Sequence, residues 1–249
     1  MPQLKSHTFV CVDCESTGLD PKQDRIIEVA VMKFTFDATL AEFESLIDPQ
    51  VQIPAASIAI HHITQEMVTG KPTIDQVLTD VFALIGDHPI IGHGIKYDVE
   101  ILAHHAERCN IPCTIRKNPS FDTLRLARLY GQSPSNSLET LRQHFNIAEE
   151  GAHRAMSDVV VNIQVFKKLS KDFRTLEQVT EALSRPIQMK NMPLGKHKGR
   201  PMKEIPIEYL RWAANQDFDD DLLYSLRSEL NRRKKGNSFI QSANPFMNL

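Results

Sequence analysis

The sequence contains no apolar run long enough to cross a membrane, and no apolar segment follows its first residues, Met-Pro-Gln-Leu-Lys. We therefore expect an intracellular, cytoplasmic protein with no membrane partner. The chain also has almost no net charge, −2 at pH 7. Its overall charge does not indicate a nucleic-acid binder, so any such binding must depend on local basic patches or on metal ions.

Cysteine is scarce, with four residues in 249. They form two closely spaced pairs that suggest a zinc site, Cys11 with Cys14 and Cys109 with Cys113. On a strand, however, an offset of three residues directs Cys11 and Cys14 to opposite faces. The second pair flanks the end of a predicted helix. We interpret all four as free thiols in a reducing compartment.

The order of the remaining patterns predicts a mixed α/β domain over residues 1–184. A buried strand at Phe9–Val12 precedes an antiparallel hairpin, Arg25–Phe36 with Leu40–Ile47. Glu28 interrupts the apolar run of this hairpin, and we interpret it as a solvent-facing position with no function. Helices then alternate with short strands, as in a sheet flanked by helices. The predicted segments are a helix from Thr73 to Ile85, a strand at Pro89–His93, and helices at Lys96–Arg108, Thr123–Tyr130, Leu138–Phe145, Arg154–Leu169 and Thr175–Leu183.

The composition changes at Ser184-Arg185-Pro186, which predicts a second, small α+β domain over residues 187–235. Its first part is a basic hairpin around two glycines, followed by helices near Ile207–Asn215 and Asp219–Arg233. The basic residues are Lys190, Lys196, Lys198, Arg200 and Lys203. We expect residues 236–249 to form a flexible tail.

Four acidic residues lie on apolar elements that the patterns direct toward the core. Asp13 and Glu15 follow the first strand and, two residues apart, point to one face. Asp98 shares a helical face with Ile101 and Leu102, and Asp158 lies on the apolar stripe of the long helix. Each could be a capping or salt-bridged acid when considered alone. Together, four hard oxygen ligands favour Mg²⁺ or Mn²⁺, with two ions about 3.5–4 Å apart for phosphodiester cleavage.

His153 is the candidate general base. It precedes Asp158 by five residues, so we place it on the loop that enters the helix, after Gly151. Its ordinary pKa of about 6.5 leaves the imidazole mostly neutral near pH 7, able to accept a proton from the attacking water.

Three ordered motifs resemble those of the DEDDh, or DnaQ-like, 3′–5′ exonucleases, which include the epsilon subunit of bacterial DNA polymerase III and exonuclease X. The resemblance covers about residues 7–170. The motifs are Asp13-Cys14-Glu15-Ser16-Thr17-Gly18, Gly92-His93-Gly94-Ile95-Lys96-Tyr97-Asp98 and His153-Arg154-Ala155-Met156-Ser157-Asp158. Gly94 replaces the usual Asn, Tyr97 the usual Phe, and Ser16 the more frequent Thr.

This resemblance implies a ribonuclease H-like mixed sheet flanked by helices. It implies that Asp13, Glu15 and Asp158 bind one metal ion, that Asp13 also contacts a second, and that Asp98 assists directly or through water. It further implies that the 3′-terminal nucleotide contacts a binding set, with Leu19 against the base. That set is Ser16, Thr17, Gly18, Leu19 and His93.

The C-terminal segment Met192–Pro201, followed by Tyr209-Leu210-Arg211-Trp212, resembles a small accessory domain of some exonuclease X-like proteins. Some of its lysines and Arg200 are candidates for phosphate contact. Trp212 could stack on a base, but we favour a place in the core of so small a domain.

The sequence therefore predicts a metal-dependent exonuclease that releases nucleoside 5′-monophosphates from DNA 3′ ends, in proofreading or repair, with a DNA polymerase or repair protein as a possible partner. One alternative is an RNA 3′ exonuclease of the RNase T or oligoribonuclease type. Another is a catalytically silent module that binds 3′ ends or a polymerase.

Overall fold

The computed structural model describes residues 3–148 and 154–242. The chain divides into two compact units at the bond between Leu183 and Ser184. No helix in the described ranges is both long and apolar enough to cross a membrane. All four cysteines are free, as predicted.

A five-stranded mixed sheet forms the centre of the first unit, in the order β3-β2-β1-β4-β5. β1 pairs antiparallel with β2 and parallel with β4, while β2 and β3 form the predicted antiparallel hairpin. The strands are β1 (Phe9–Ser16), β2 (Ile26–Phe34), β3 (Thr39–Leu46), β4 (Ile90–Gly92) and β5 (Ser120–Asp122). β1 lies in the middle of the sheet, with β2 and β4 as its neighbours.

Helices cover both faces of the sheet, as the sequence predicts. The helices of this unit are α1 (Ala55–His61), α2 (Gln65–Val68), α3 (Ile74–Ile85), α4 (Lys96–Arg108), α5 (Thr123–Tyr130), α6 (Leu138–His144), α7 (Ala155–Leu169) and α8 (Leu176–Leu183). Thr73 and Gln76 form a capping box at the start of α3, which explains why this helix begins where the sequence predicts. α1 and α2 were not predicted. α2 has only four residues, and α1 lacks the side-chain cap that marks the start of the equally short α6.

The alternation of side chains along β1 divides the core in two. Phe9 and Cys11 pack with α7 on one face, whereas Val10, Val12 and Cys14 pack with α3 and α4 on the other. Cys11 and Cys14 therefore lie on opposite faces, as predicted. By the same alternation Asp13 and Glu15 belong to the face that α7 covers.

The second unit contains α9 (Ile207–Ala213) and α10 (Asp220–Ser242). The predicted basic hairpin is instead a loop closed by one isolated bridge between Asn191 and Pro201, and no strand forms in the described residues from Ser184 onward. Gly195 and Gly199 adopt φ +72° and +81°, and a 3₁₀ turn occupies Gly195–His197. The segment between Asn191 and Pro201 is therefore built of turns rather than strands. α10 continues through the first part of the predicted tail and ends at Ser242, so this part is helical. Residues 243–249 lie outside the described residues.

Trp212 is not in the core of this unit, contrary to the expectation from the sequence. Its side chain is 52% exposed. Smaller apolar residues form the core instead: Met192, Met202, Ile205, Leu210, Ala213, Leu222 and Leu226. They fill the space between the loop and the two helices, so that the indole ring is left at the surface of α9.

Candidate active site

Three carboxylates meet where the end of β1 faces the first turn of α7. Asp13 and Glu15 extend from β1, and Asp158 extends from α7, which packs against β1 and β2. One oxygen from each of the three lies within 4.8 Å of the other two. The strand alternation and the helix packing thus bring together acids that are more than 140 residues apart in the chain.

The electrostatics of this cluster disfavour three negative charges. Burial, followed by the charges of Asp98, Asp158 and Glu15, raises the pKa of Asp13 well above its usual value. Burial raises the pKa of Glu15 to about 7, and the charges of Asp158 and Glu28 act in the same direction. Neither Asp13 nor Glu15 forms an ion pair with a described Lys, Arg or His. The partly buried oxygens of Asp13 and Glu15 therefore fit a hard divalent cation such as Mg²⁺ or Mn²⁺.

Asp98 lies outside the three-carboxylate cluster. As predicted, it is buried on the core-facing stripe of α4. Its Oδ1 accepts a hydrogen bond of 2.9 Å from the backbone amide of Cys14, between the two acids of β1. Burial raises the pKa of Asp98 to about 8, against the effect of that hydrogen bond. α4 covers the face of the sheet opposite α7, so Asp98 meets the strand end from the other side.

Glu28 is a site residue that the sequence interpretation missed. It is fully buried, contrary to the solvent-facing position that we expected. It lies opposite Glu15 in the β1–β2 ladder. Its carboxylate accepts 2.8 Å and 3.0 Å hydrogen bonds from Arg154 Nε and from the amide of Ala155, the first residue of α7. Glu28 thereby fixes the end of α7 that carries Asp158.

A signal for Glu28 was present in the sequence. β2 is apolar at almost every position, which indicates a strand that is buried on both faces. An acid on such a strand must be buried and requires a partner. His153, the predicted base, is adjacent to Arg154 in the chain but lies outside the described residues.

The loop Ser16–Leu19, which begins at the last residue of β1, is held by hydrogen bonds on both sides. The Tyr97 hydroxyl contacts Ser16 Oγ and donates to the carbonyl oxygen of Gly18, each at 2.6 Å. Thr17 Oγ1 donates to Asp24. A Cβ at Gly18 would lie 2.6 Å from the Asp24 carboxylate, so a larger residue would displace the carboxylate that binds Thr17. Leu19 projects from this fixed loop with 90% of its side chain exposed.

His93 lies at the end of β4 and contacts Thr123 Oγ1 through Nδ1 at 3.0 Å. Burial lowers the pKa of His93 to about 4, so its imidazole is neutral near pH 7. Contact between His93 and a substrate stays a prediction.

Comparison with known proteins connects this geometry to a family of enzymes. Residues 10–166 match the RNase T family of exonucleases. Residues 180–227 match a family whose description names a candidate quorum-sensing-regulated virulence factor.

Two curated relatives are polymerase proteins. DNA polymerase III subunit epsilon of Aquifex aeolicus is 28% identical over 68% of this chain and 83% of its own length. DNA polymerase III PolC-type of Clostridium perfringens is 32% identical over 75% of this chain, but the match spans only 13% of that much longer protein.

Two solved structures share the fold. Exonuclease X in complex with 5′-overhanging duplex DNA has a TM-score of 0.57 at 22% identity, over 70% of this chain and 98% of that one. Escherichia coli exonuclease I in complex with a dA16 oligonucleotide has a TM-score of 0.61 at 20% identity, over 72% of this chain and 43% of that one. Both confirm the predicted mixed sheet flanked by helices.

Proposed function

The chain belongs to the RNase T family of exonucleases, and from this premise we propose that it removes nucleoside 5′-monophosphates from the 3′ ends of DNA. The observation that carries the proposal is the convergence of Asp13, Glu15 and Asp158, with oxygens within 4.8 Å, at the end of the central strand. In the reaction, a water oxygen bonds to phosphorus, the bond from phosphorus to the preceding 3′ oxygen breaks, and that oxygen takes a proton.

The three carboxylates would hold the cation. A bound Mg²⁺ or Mn²⁺ neutralises charge on the phosphate and lowers the pKa of a nearby water. Four acidic neighbours, Asp98, Asp158, Glu15 and Glu28, all raise the pKa of Asp13. It is therefore the residue we propose as shared between two ions, with Asp98 assisting the second.

His153 would take the proton of the attacking water. The support is its place in the third motif, one residue before Arg154, which Glu28 holds. The ordinary pKa of histidine suits this step near neutral pH.

The loop Ser16–Leu19 would receive the 3′-terminal nucleotide, with His93 nearby. Its support is geometric: the loop is fixed by Tyr97 and Asp24, and it begins directly after the acids of β1. An exposed apolar side chain on a rigid loop, such as Leu19, suits contact with the face of a base.

DNA is favoured as the substrate because the two polymerase relatives are DNA polymerase III proteins and both solved neighbours are DNA complexes. The same relatives support a role in proofreading or repair beside a polymerase. An RNA 3′ exonuclease would need the same acidic residues, so these residues do not distinguish DNA from RNA as the substrate. A silent binding module would not need them, so their presence favours an enzyme. A cytoplasmic location stays a prediction.

Digestion of matched DNA and RNA oligonucleotides tests the proposal. With Mg²⁺, 5′-labelled single-stranded DNA should shorten stepwise, and 3′-labelled DNA should release its label as a mononucleotide at once. Faster digestion of RNA than of DNA would show that RNA, not DNA, is the preferred substrate. Cleavage at internal positions, or no cleavage with either Mg²⁺ or Mn²⁺, would contradict the exonuclease activity.

A further inference from the structure

Three aromatic rings form a row on the surface of the second unit. The rings of His197 and Tyr209 have centroids 4.5 Å apart, and those of Tyr209 and Trp212 are 5.2 Å apart. Tyr209 and Trp212 lie on α9, whereas His197 belongs to the loop between Asn191 and Pro201. The row ends at the exposed indole of Trp212, which has no part in the core.

The loop that carries His197 is closed by backbone hydrogen bonds and contacts Tyr209. Gly195 lies against the hydroxyl group of Tyr209, since a Cβ at this position would be 2.8 Å from the hydroxyl oxygen. Backbone hydrogen bonds of 2.9 Å and 2.8 Å join Met192 to Arg200 and to Gly199. These contacts connect the loop that carries His197 to Tyr209 of α9, so the loop and the helix together form the aromatic row.

Exposed cations neighbour the ring residues in the chain. Lys196, Lys198 and Arg200 lie on the loop and Arg211 precedes Trp212, all of them exposed. Within the described ranges, none of these four has a carboxylate partner. The sequence from Ser184 onward has twelve Lys and Arg against seven Asp and Glu, whereas the preceding part has seventeen against twenty-four. Positive charge is therefore concentrated in the unit that carries the exposed rings.

We propose that this aromatic–basic surface, formed by Lys196, His197, Lys198, Tyr209 and Trp212, binds single-stranded nucleic acid. The lysines contact phosphates, and Trp212 stacks on an unpaired base. Bases within a duplex already stack on one another, so a flat ring at the surface can reach a base face only where the strand is unpaired. The site goes beyond the proposed exonuclease activity and does not depend on it.

Trp212 is the only tryptophan in the chain, so its fluorescence reports this surface alone. The full chain is titrated in EDTA, which prevents digestion, with an oligothymidylate of about 12 nucleotides. We expect saturable quenching that weakens as salt concentration rises. An abasic oligonucleotide of equal length keeps the phosphates but should cause little quenching. Equal quenching by the abasic strand, or none by either, would overturn the stacking contact.

Variants separate the two kinds of contact, with binding followed by anisotropy of a labelled oligonucleotide. Trp212→Ala should weaken binding by about 5- to 150-fold, as loss of one stacked base does, while Trp212→Phe should retain most of the affinity. The double variant Lys196→Ala/Lys198→Ala should lower the salt slope by about 1.4, which corresponds to two phosphate contacts on a single strand.

Lys168→Ala/Lys171→Ala is the matched control, because it removes two exposed lysines of the first unit. Its affinity and salt slope should equal those of the wild type. An equal loss of affinity in both double variants would show that binding depends only on the net charge of the protein, and this result would overturn the proposed site. Preference for an acidic peptide over the oligonucleotide would overturn it as well. Because digestion is prevented throughout, failure of the exonuclease assays leaves these results unaffected.

Discussion

Replacing Glu15 by Gln should stabilise the metal-free protein in a pH-dependent manner. The folded-state pKa of about 7 lies above the ordinary value of 4.5, because burial and Asp158 disfavour the charged form. The folded state therefore binds more protons than the unfolded state between these values, and stability falls as pH rises through them. At 1.36 kcal/mol per pH unit, the charged carboxylate costs about 3 kcal/mol above pH 7 and nothing below pH 4.5.

Urea denaturation in EDTA measures this difference. At about pH 8 Glu15→Gln should be more stable than the wild type by up to about 3 kcal/mol, and at about pH 5 the gain should fall to less than about 1 kcal/mol. Far-UV circular dichroism follows the unfolding of both units. Trp212 fluorescence follows the second unit, and its urea midpoint should be the same in Glu15→Gln as in the wild type. Glu42→Gln, at an exposed position of β3, controls for the lost charge. A destabilised Glu15→Gln at pH 8, or the same difference at both pH values, would refute the reasoning.

Three further outcomes are expected. Glu28→Gln should lower the free energy of unfolding by about 1–3 kcal/mol in urea titrations, because the buried side chain loses its charge-assisted hydrogen bonds to Arg154 and Ala155. It should also slow digestion about 10- to 100-fold by loosening the end of α7; wild-type stability would contradict the contact. Mg²⁺ at about 100 times its Kd should stabilise the wild type by about 2.7 kcal/mol in thermal melts, whereas Asp158→Asn should lose most of this gain. Leu19→Ala should raise KM for DNA about 10-fold in steady-state assays at unchanged Tm, since the side chain is exposed; a lowered Tm would mean that Leu19 is structural.

Much of the fold could be predicted because its main elements carry strong local patterns. α4 begins and ends at the predicted residues, Lys96 and Arg108, since its apolar spacing and the turn after it are both clear. The hairpin of β2 and β3 follows from β-branched runs across a short link. The loop between Asn191 and Pro201 was misread because turn residues and positive charge do not reveal whether two short segments pair.

The candidate site was predictable where one element fixes its geometry. The two-residue spacing places Asp13 and Glu15 on one face of β1 without reference to the rest of the chain. The position of Asp98 outside the cluster depends on which face of the sheet α4 covers, which no local pattern gives. The contact between Glu28 and Arg154 spans 126 positions, so it emerges only from the packed structure.

Digestion of 5′-labelled single-stranded DNA by Asp13→Asn most directly tests whether the carboxylate cluster is the exonuclease centre. In Mg²⁺ the wild type should shorten the strand stepwise from its 3′ end, and the variant should be slower by at least about 100-fold. The variant should also remain folded in EDTA, because it removes a charge that its acidic neighbours disfavour. A folded Asp13→Asn protein that digests DNA at the wild-type rate would contradict the assignment of the cluster.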